Sequence, residues 1–126
     1  MASARTRRAV ELRNRVRANR AASAARREVA RAARRVRTTA RSLATHVIAT
    51  GADRETVKGV VKALRTAAKN AGIKGRRARI RRTAQGFKKH AVTAYRYTRA
   101  QVAQIAAAYK PRKAEYKAVR AALIAA

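Results

Sequence analysis

The amino-acid sequence predicts an all-α protein: a long Arg-rich N-terminal helical arm followed by a small bundle of three to four helices. Three observations carry this expectation. The first fifty residues contain fourteen arginines and fourteen alanines but neither glycine nor proline, so the best helix former recurs and nothing interrupts it. Further along, apolar residues return at spacings of three and four, which places them on one helix face. No segment reads as the period-two alternation of a strand, and no internal repeat emerges.

Taken in order, Ala22, Ala25, Val29, Ala32, Val36, Ala40, Leu43 and Val47 form a narrow stripe along the arm. Val10, Leu12 and Val16 fit that stripe poorly, which places a break or bend near residues 14–19. Uninterrupted over residues 3–49, the helix would span about 70 Å at ~1.5 Å per residue. Gly51 stops it, and Asp53 caps a second helix over 54–71 on Val57, Val60, Val61, Leu64, Ala67, Ala68 and Ala71, ended by Gly72. A third helix is predicted over 76–97 on Ile80, Ala84, Phe87, Ala91 and Tyr95, with Gly75 marking the turn before it and Gly86 weakening it. Thr98 and Gln101 form a capping box for a fourth helix over 99–109, carrying Val102, Ile105 and Tyr109. Pro111 opens the last helix, 111–124, whose apolar end over 121–126 is expected to dock on another helix or subunit. The organisation reads as two parts: residues 1–50 a basic helical arm that wraps nucleic acid, and residues 51–126 a helical assembly domain.

Charge dominates the composition. Thirty-four Lys and Arg stand against five Asp and Glu, a formal net charge of +29 on 126 residues. Repulsion at this density opposes compaction, so bound anions or neighbouring subunits should stabilise the native state. Of the 60 hydrophobic residues 34 are alanine, leaving 26 larger ones and a thin core for one small domain. With no cysteine, disulfides and thiolate metal sites are excluded. No apolar run is long enough to span a membrane, and the basic start lacks the apolar core of a secretory signal. That start shares the composition of a mitochondrial transit peptide, but the same bias continues far beyond a presequence. Few Asn and Gln and one Met fit selection at high temperature, although an Arg/Ala bias also follows from a GC-rich genome.

A positive rod of this kind calls for a polyanion, and the nucleic-acid backbone is the natural one. Arginine suits the task because its planar fork holds phosphate oxygens bidentately. The candidate nucleic-acid-binding residues are Arg5, Arg7, Arg8, Arg13, Arg15, Arg17, Arg20, Arg26, Arg27, Arg31, Arg34, Arg35, Arg37 and Arg41 in the arm. A second cluster comprises Lys74, Arg76, Arg77, Arg79, Arg81, Arg82, Lys88 and Lys89. Neutralising the net charge takes roughly 29 phosphates, or about 14 base pairs of duplex, which favours covering DNA over reading its sequence. Among the tyrosines, Tyr95 and Tyr109 lie on apolar stripes and read as packing residues, while Tyr97 stays open for stacking on a base. A helix-turn-helix can be drawn over residues 43–64 with Gly51 in its turn. Asp53 and Glu55 at the start of the would-be recognition helix count against it.

Catalysis finds no constellation. His46 and His90 are isolated, the acids form no working pair, and neither a phosphate loop nor a metal-ligand spacing appears. The sequence predicts no enzyme activity, no catalytic or metal residues, no cofactor and no small-molecule substrate.

With its Arg-coated arm over residues 5–41, its cysteine-free helical character and its more apolar helices over 57–124, the chain resembles the major coat proteins of filamentous archaeal viruses of the rudivirus, lipothrixvirus and tristromavirus type. The likeness covers the whole chain as an arrangement and rests on no residue motif. It implies an all-helical subunit whose arm wraps double-stranded DNA, held in A-form, while the C-terminal part builds a shell. It also implies an intertwined dimer with a second copy or a related coat protein, and residence in the virion nucleocapsid after assembly in the host cytoplasm. Tyr109, Tyr116, Val119, Leu123 and Ile124 would then form the subunit interface. The basic residues over 74–89 and 110–117 depart from the pattern of a shell and would have to face DNA or an acidic partner. Two other classes share the composition: a ribosomal protein threaded into rRNA by long basic helices, and a cellular nucleoid protein that condenses DNA without a capsid.

Overall fold

A computed structural model describes residues 3–83 and 86–126. It corrects the all-α expectation, because five helices are accompanied by an antiparallel β-hairpin where the third helix was predicted.

Helix α1 (Ala4–Thr38) begins at Ser3, whose hydroxyl accepts the Thr6 amide at 3.2 Å. It runs without a break through residues 14–19, so the predicted bend is absent and the rod is about 52 Å long at ~1.5 Å per residue. Its end comes earlier than the sequence predicted. The Thr38 hydroxyl turns back onto the Arg35 carbonyl (3.1 Å), and Thr39 adopts extended backbone. β-Branched residues and a following serine supply a local alternative to helix. Ser42 then caps a new short helix, α2 (Leu43–Ile48).

Helix α3 (Arg54–Ala71) forms where its caps placed it. The Asp53 carboxylate accepts the Thr56 amide at 2.8 Å, and Gly72 closes the other end at φ 71°. Helix α4 (Arg99–Ala108) carries the predicted capping box between Thr98 and Gln101. Helix α5 (Ala114–Ala125) starts after Lys113, so Pro111 precedes the helix and does not open it.

Strands β1 (Arg76–Thr83) and β2 (Gly86–Arg96) replace the helix predicted over 76–97; Ala84, one of its stripe residues, lies outside the described residues. Arg77, Ala78, Arg79, Ile80 and Arg81 do alternate with period two, a signal that the spacings of three and four among Ile80, Ala84, Phe87, Ala91 and Tyr95 obscured. In a helix the arginines at 76, 77, 79, 81 and 82 would crowd at separations of three and four, whereas a strand divides them between two faces. Val92, Thr93 and Tyr95 favour extended backbone, and Gly86 takes φ 113°. Arg77 pairs with Tyr95, Arg79 with Thr93, and Ile80 with Val92. Toward the tip the register shifts between Ile80 and Arg82, so that Arg82 faces Phe87.

Helices α2 to α5 enclose one core: Leu43 and Val47 from α2, Val60, Val61, Leu64 and Ala68 from α3, Val102, Ile105 and Ala106 from α4, and Val119 and Leu123 from α5. Tyr97 and Tyr109 complete it. Arg120 ties α5 to the end of α4: its Nε donates at 2.9 Å to the Ala106 carbonyl, which also accepts the Tyr109 amide, and its Nη2 donates to the Ala107 carbonyl at 3.4 Å. Replacing the fully buried Leu64 by alanine should cost about 2–5 kcal/mol, and a core this small has little to spare. Chemical denaturation of the Leu64→Ala variant, read by far-ultraviolet circular dichroism, checks this.

Candidate nucleic-acid interface

Every residue from 3 to 22 is solvent-exposed, so the first five turns of α1 leave the body without burying a side chain. At 100° per residue, Arg5, Arg13 and Arg20 point to one side of this segment and Arg7, Arg8 and Arg15 to the other, with Arg17 between. Cations thus surround the rod. Val10, Leu12 and Val16, the residues that missed the apolar stripe, are exposed among them. The second half of α1 is seated: Ala32 is buried and Val29, Ala33 and Val36 are half-buried, while Arg26, Arg27, Arg31, Arg34, Arg35 and Arg37 lie on the open side. Arg41 stands apart. It is half-buried in the turn between α1 and α2, and its Nε is buried without a hydrogen-bond partner.

The second cluster is carried by the hairpin and the turn before it. Lys74, Arg76, Arg77, Arg79, Arg81, Arg82 and Lys89 are exposed, and Lys88 is half-buried. One face of the ribbon presents Arg77 and Arg79 with Tyr95 and Thr93; the other presents Ala78, Ile80, Val92 and Ala94, with the directly opposed Arg76 and Arg96 at the root. Opposed like charges destabilise a strand pair. A two-stranded ribbon is also marginal by itself in water, so an anion laid along it would order it. Tyr95 is 51% exposed beside Arg77 and is not the packing residue that the helical stripe implied. Phe87, at the tip, is 75% exposed.

The root of the ribbon is fixed by backbone. The Arg41 amide donates to the Tyr97 carbonyl (3.0 Å) and the Tyr97 amide to the Arg41 carbonyl (2.7 Å), which makes Arg41 a one-residue third strand beside β2. Tyr97, left open for base stacking by the sequence, is buried here. Gly75 lies against it, where a Cβ would come within 2.8 Å of the Arg96 carbonyl and 2.9 Å of the tyrosine ring. His46 Nε2 sits 2.8 Å from the same Tyr97 carbonyl and, as the protonated ring nitrogen, donates to it.

A third basic surface escaped the sequence reading. Arg54, Lys58, Lys62, Arg65 and Lys69 recur at spacings of four, four, three and four along α3, and all are exposed. The same helical wheel that gave the apolar stripe of α3 contains this signal on its other side.

The residues read as a subunit interface are mostly used within the chain. Tyr109, Val119 and Leu123 are buried in its own core, and Tyr116 is half-buried with its hydroxyl against Gly59. Only Ile124, 43% exposed, remains free for a neighbour. With so few large apolar residues, the bundle closes on itself by using its C-terminal helix. Among the described residues, no group of three or more His, Asp or Glu could hold a metal ion, and no helix is long and apolar enough to cross a membrane.

Comparison with protein-family models, with curated proteins and with solved structures gave no match.

Burial holds His46 below its ordinary pKa of 6.5, outweighing its contacts with the Tyr97 and Arg41 carbonyls. As pH falls, the unfolded chain therefore takes up this proton before the folded one. The stability supplied by neutral His46 is complete above about pH 6.5 and is lost as pH drops below that value. Thermal melts between pH 7 and 5 should show a falling midpoint, and His46→Gln should flatten that slope.

Proposed function

We propose that the chain is a structural protein that packages duplex DNA by neutralising its phosphates without reading its sequence. The observation that carries this reading is the fully exposed start of α1, which buries nothing and is ringed by arginine. A segment that contributes no packing to the fold, and adds self-repulsion to it, makes physical sense when a polyanion surrounds or adjoins it. Cations on all sides of a rod suit a position between two phosphate walls, whether those of one groove or of neighbouring duplexes.

In its coat-protein form, this reading adds polymerisation along the DNA, with a second copy or a related coat protein, and a place in a virion. Exposed Val10, Leu12, Val16, Phe87 and Ile124 are among the apolar positions available to such contacts. The hairpin departs from the all-helical subunit implied by the resemblance to filamentous archaeal virus coats, so the packaging reading rests on the charged surface. Structured RNA is the competing ligand, because a basic rod and a narrow basic ribbon on a small body also suit insertion between RNA helices.

The test measures affinity for random-sequence duplex DNA against salt, with folded ribosomal RNA as competitor. The logarithm of affinity should fall linearly with the logarithm of salt and be insensitive to DNA sequence. Removing residues 1–22 takes away seven arginines and should reduce the slope by about six, at ~0.9 per phosphate contact, while leaving the melting temperature of the body unchanged. Preference for the RNA by orders of magnitude would overturn the DNA reading.

A further inference from the structure

Resting on that reading, we propose that α2 and α3 form a helix-turn-helix whose second helix lies side-on in the major groove of duplex DNA, with the hairpin as an arm along the flanking backbone. The topology comes first. Helices α2 and α3 are joined through Thr50, Gly51 and Ala52 between the caps Ala49 and Asp53, and Gly51 takes φ 85°. Two packed helices joined by a short glycine-containing turn have the connectivity of this unit. Strand β1 follows α3 after only a few residues, and Ile73 packs against the core in between. The pairing of Arg41 with Tyr97 and the bond from Gln101 Nε2 to the Lys74 carbonyl (3.3 Å) fix the root of the hairpin to the same body. The arm is therefore registered to α3.

The surface of α3 then names the ligand. Its apolar face packs against α2, α4 and α5. Lys58, Lys62, Arg65 and Lys69 form a continuous exposed line about 16 Å long on the free side, at ~1.5 Å per residue. Lys62 and Thr66 point most directly away from the core, and Asn70, also exposed, stands at the edge of the free side. A helix with its side chains is ~10–12 Å across and the major groove about 12 Å wide, so such a face fits between two phosphate rows. The cations would reach phosphates, and Thr66, the uncharged side chain nearest the centre of this face, is the one placed to meet a base edge.

Asp53 and Glu55 do not oppose this placement. Asp53 is engaged as the N-cap, and Glu55 shares the free side of α3 but stands at its first turn, three residues before Lys58 and at the far end from Arg65 and Lys69. They disfavour entry by the N-terminus of the helix and favour contact through its middle and last turns. Few base contacts follow from that geometry, in keeping with packaging. On the hairpin, Arg77, Arg79 and Tyr95 share one face and would track the backbone beside the groove.

The test is dimethyl sulfate protection of guanine N7, an atom of the major groove, on random-sequence duplex DNA with the full chain. Lys58→Ala/Lys62→Ala/Arg65→Ala should lower the salt slope by about 2.7 and lose much of the N7 protection, with an unchanged melting temperature. Arg7→Ala/Arg8→Ala/Arg13→Ala should lower the slope equally and retain the protection attributable to α3. Unaltered N7 protection, or an unaltered slope, in the α3 variant would overturn the proposal while leaving DNA packaging intact. A wild-type chain that binds no duplex would instead remove the packaging reading itself, before any variant is compared.

Discussion

The backbone of Tyr97 is where the parts of this molecule meet. Its carbonyl receives the Arg41 amide and the His46 ring nitrogen, and its amide returns a bond to Arg41. Its side chain lies in the core and meets Gly75, and the next residue, Thr98, caps α4. The turn after the α1 arm, the base of the hairpin and the start of α4 thus meet at one buried residue. The two hydrogen bonds of a single β-bridge would contribute little in water. Here they are shielded by the core, where leaving these groups unpaired would cost more than the bonds themselves supply. This explains how a small apolar cluster can orient a hairpin that makes few packing contacts of its own.

The parts of the fold that were legible in the sequence are those decided locally. Asp53, Gly72, Thr98 and Gln101 act through hydrogen bonds that span a few residues, and α3 and α4 begin and end where these side chains require. The hairpin was not legible because both periodicities coexist in residues 76–97. Arg and Ala tolerate helix well, and Ile80, Ala91 and Tyr95 can be placed on one helical face. The outcome turns on non-local terms: repulsion among crowded arginines, the partner strand, and the anchorage of Tyr97 to Arg41, a residue far away in the chain. The end of α1 was missed for the same reason, since residues 39–42 leave the helix to meet Tyr97.

The candidate site was legible as charge and illegible as geometry. The arginines of α1 and the cluster around residue 79 stand out by composition alone. Lys58, Lys62, Arg65 and Lys69 do not, because they are interleaved with the apolar residues of a conventional amphipathic helix and read as an ordinary solvated face. Their meaning emerges only when the fold shows that α3 buries its apolar face and leaves these four cations together on its free side. The subunit-interface reading of Tyr109, Val119 and Leu123 erred in the opposite direction. Apolar residues near the chain end look available, yet a bundle with so little large apolar surface consumes them internally.

The two basic extensions answer the same repulsion by different physical means. Along α1 the helix persists because alanine carries the backbone, even though Arg27, Arg31 and Arg35 stack at intervals of four on an exposed face. In the hairpin, the strand geometry separates neighbours but brings Arg76 opposite Arg96, so repulsion is moved from within one segment to across two. Neither arrangement is relaxed in water, and both improve when phosphate oxygens sit between the guanidinium groups. The body differs: α3 and α4 are capped and its core is closed by residues of the chain itself. Binding energy from a polyanion can therefore be directed to ordering the extensions while the body holds its shape, a division that lets one fixed unit set the relative placement of three basic surfaces.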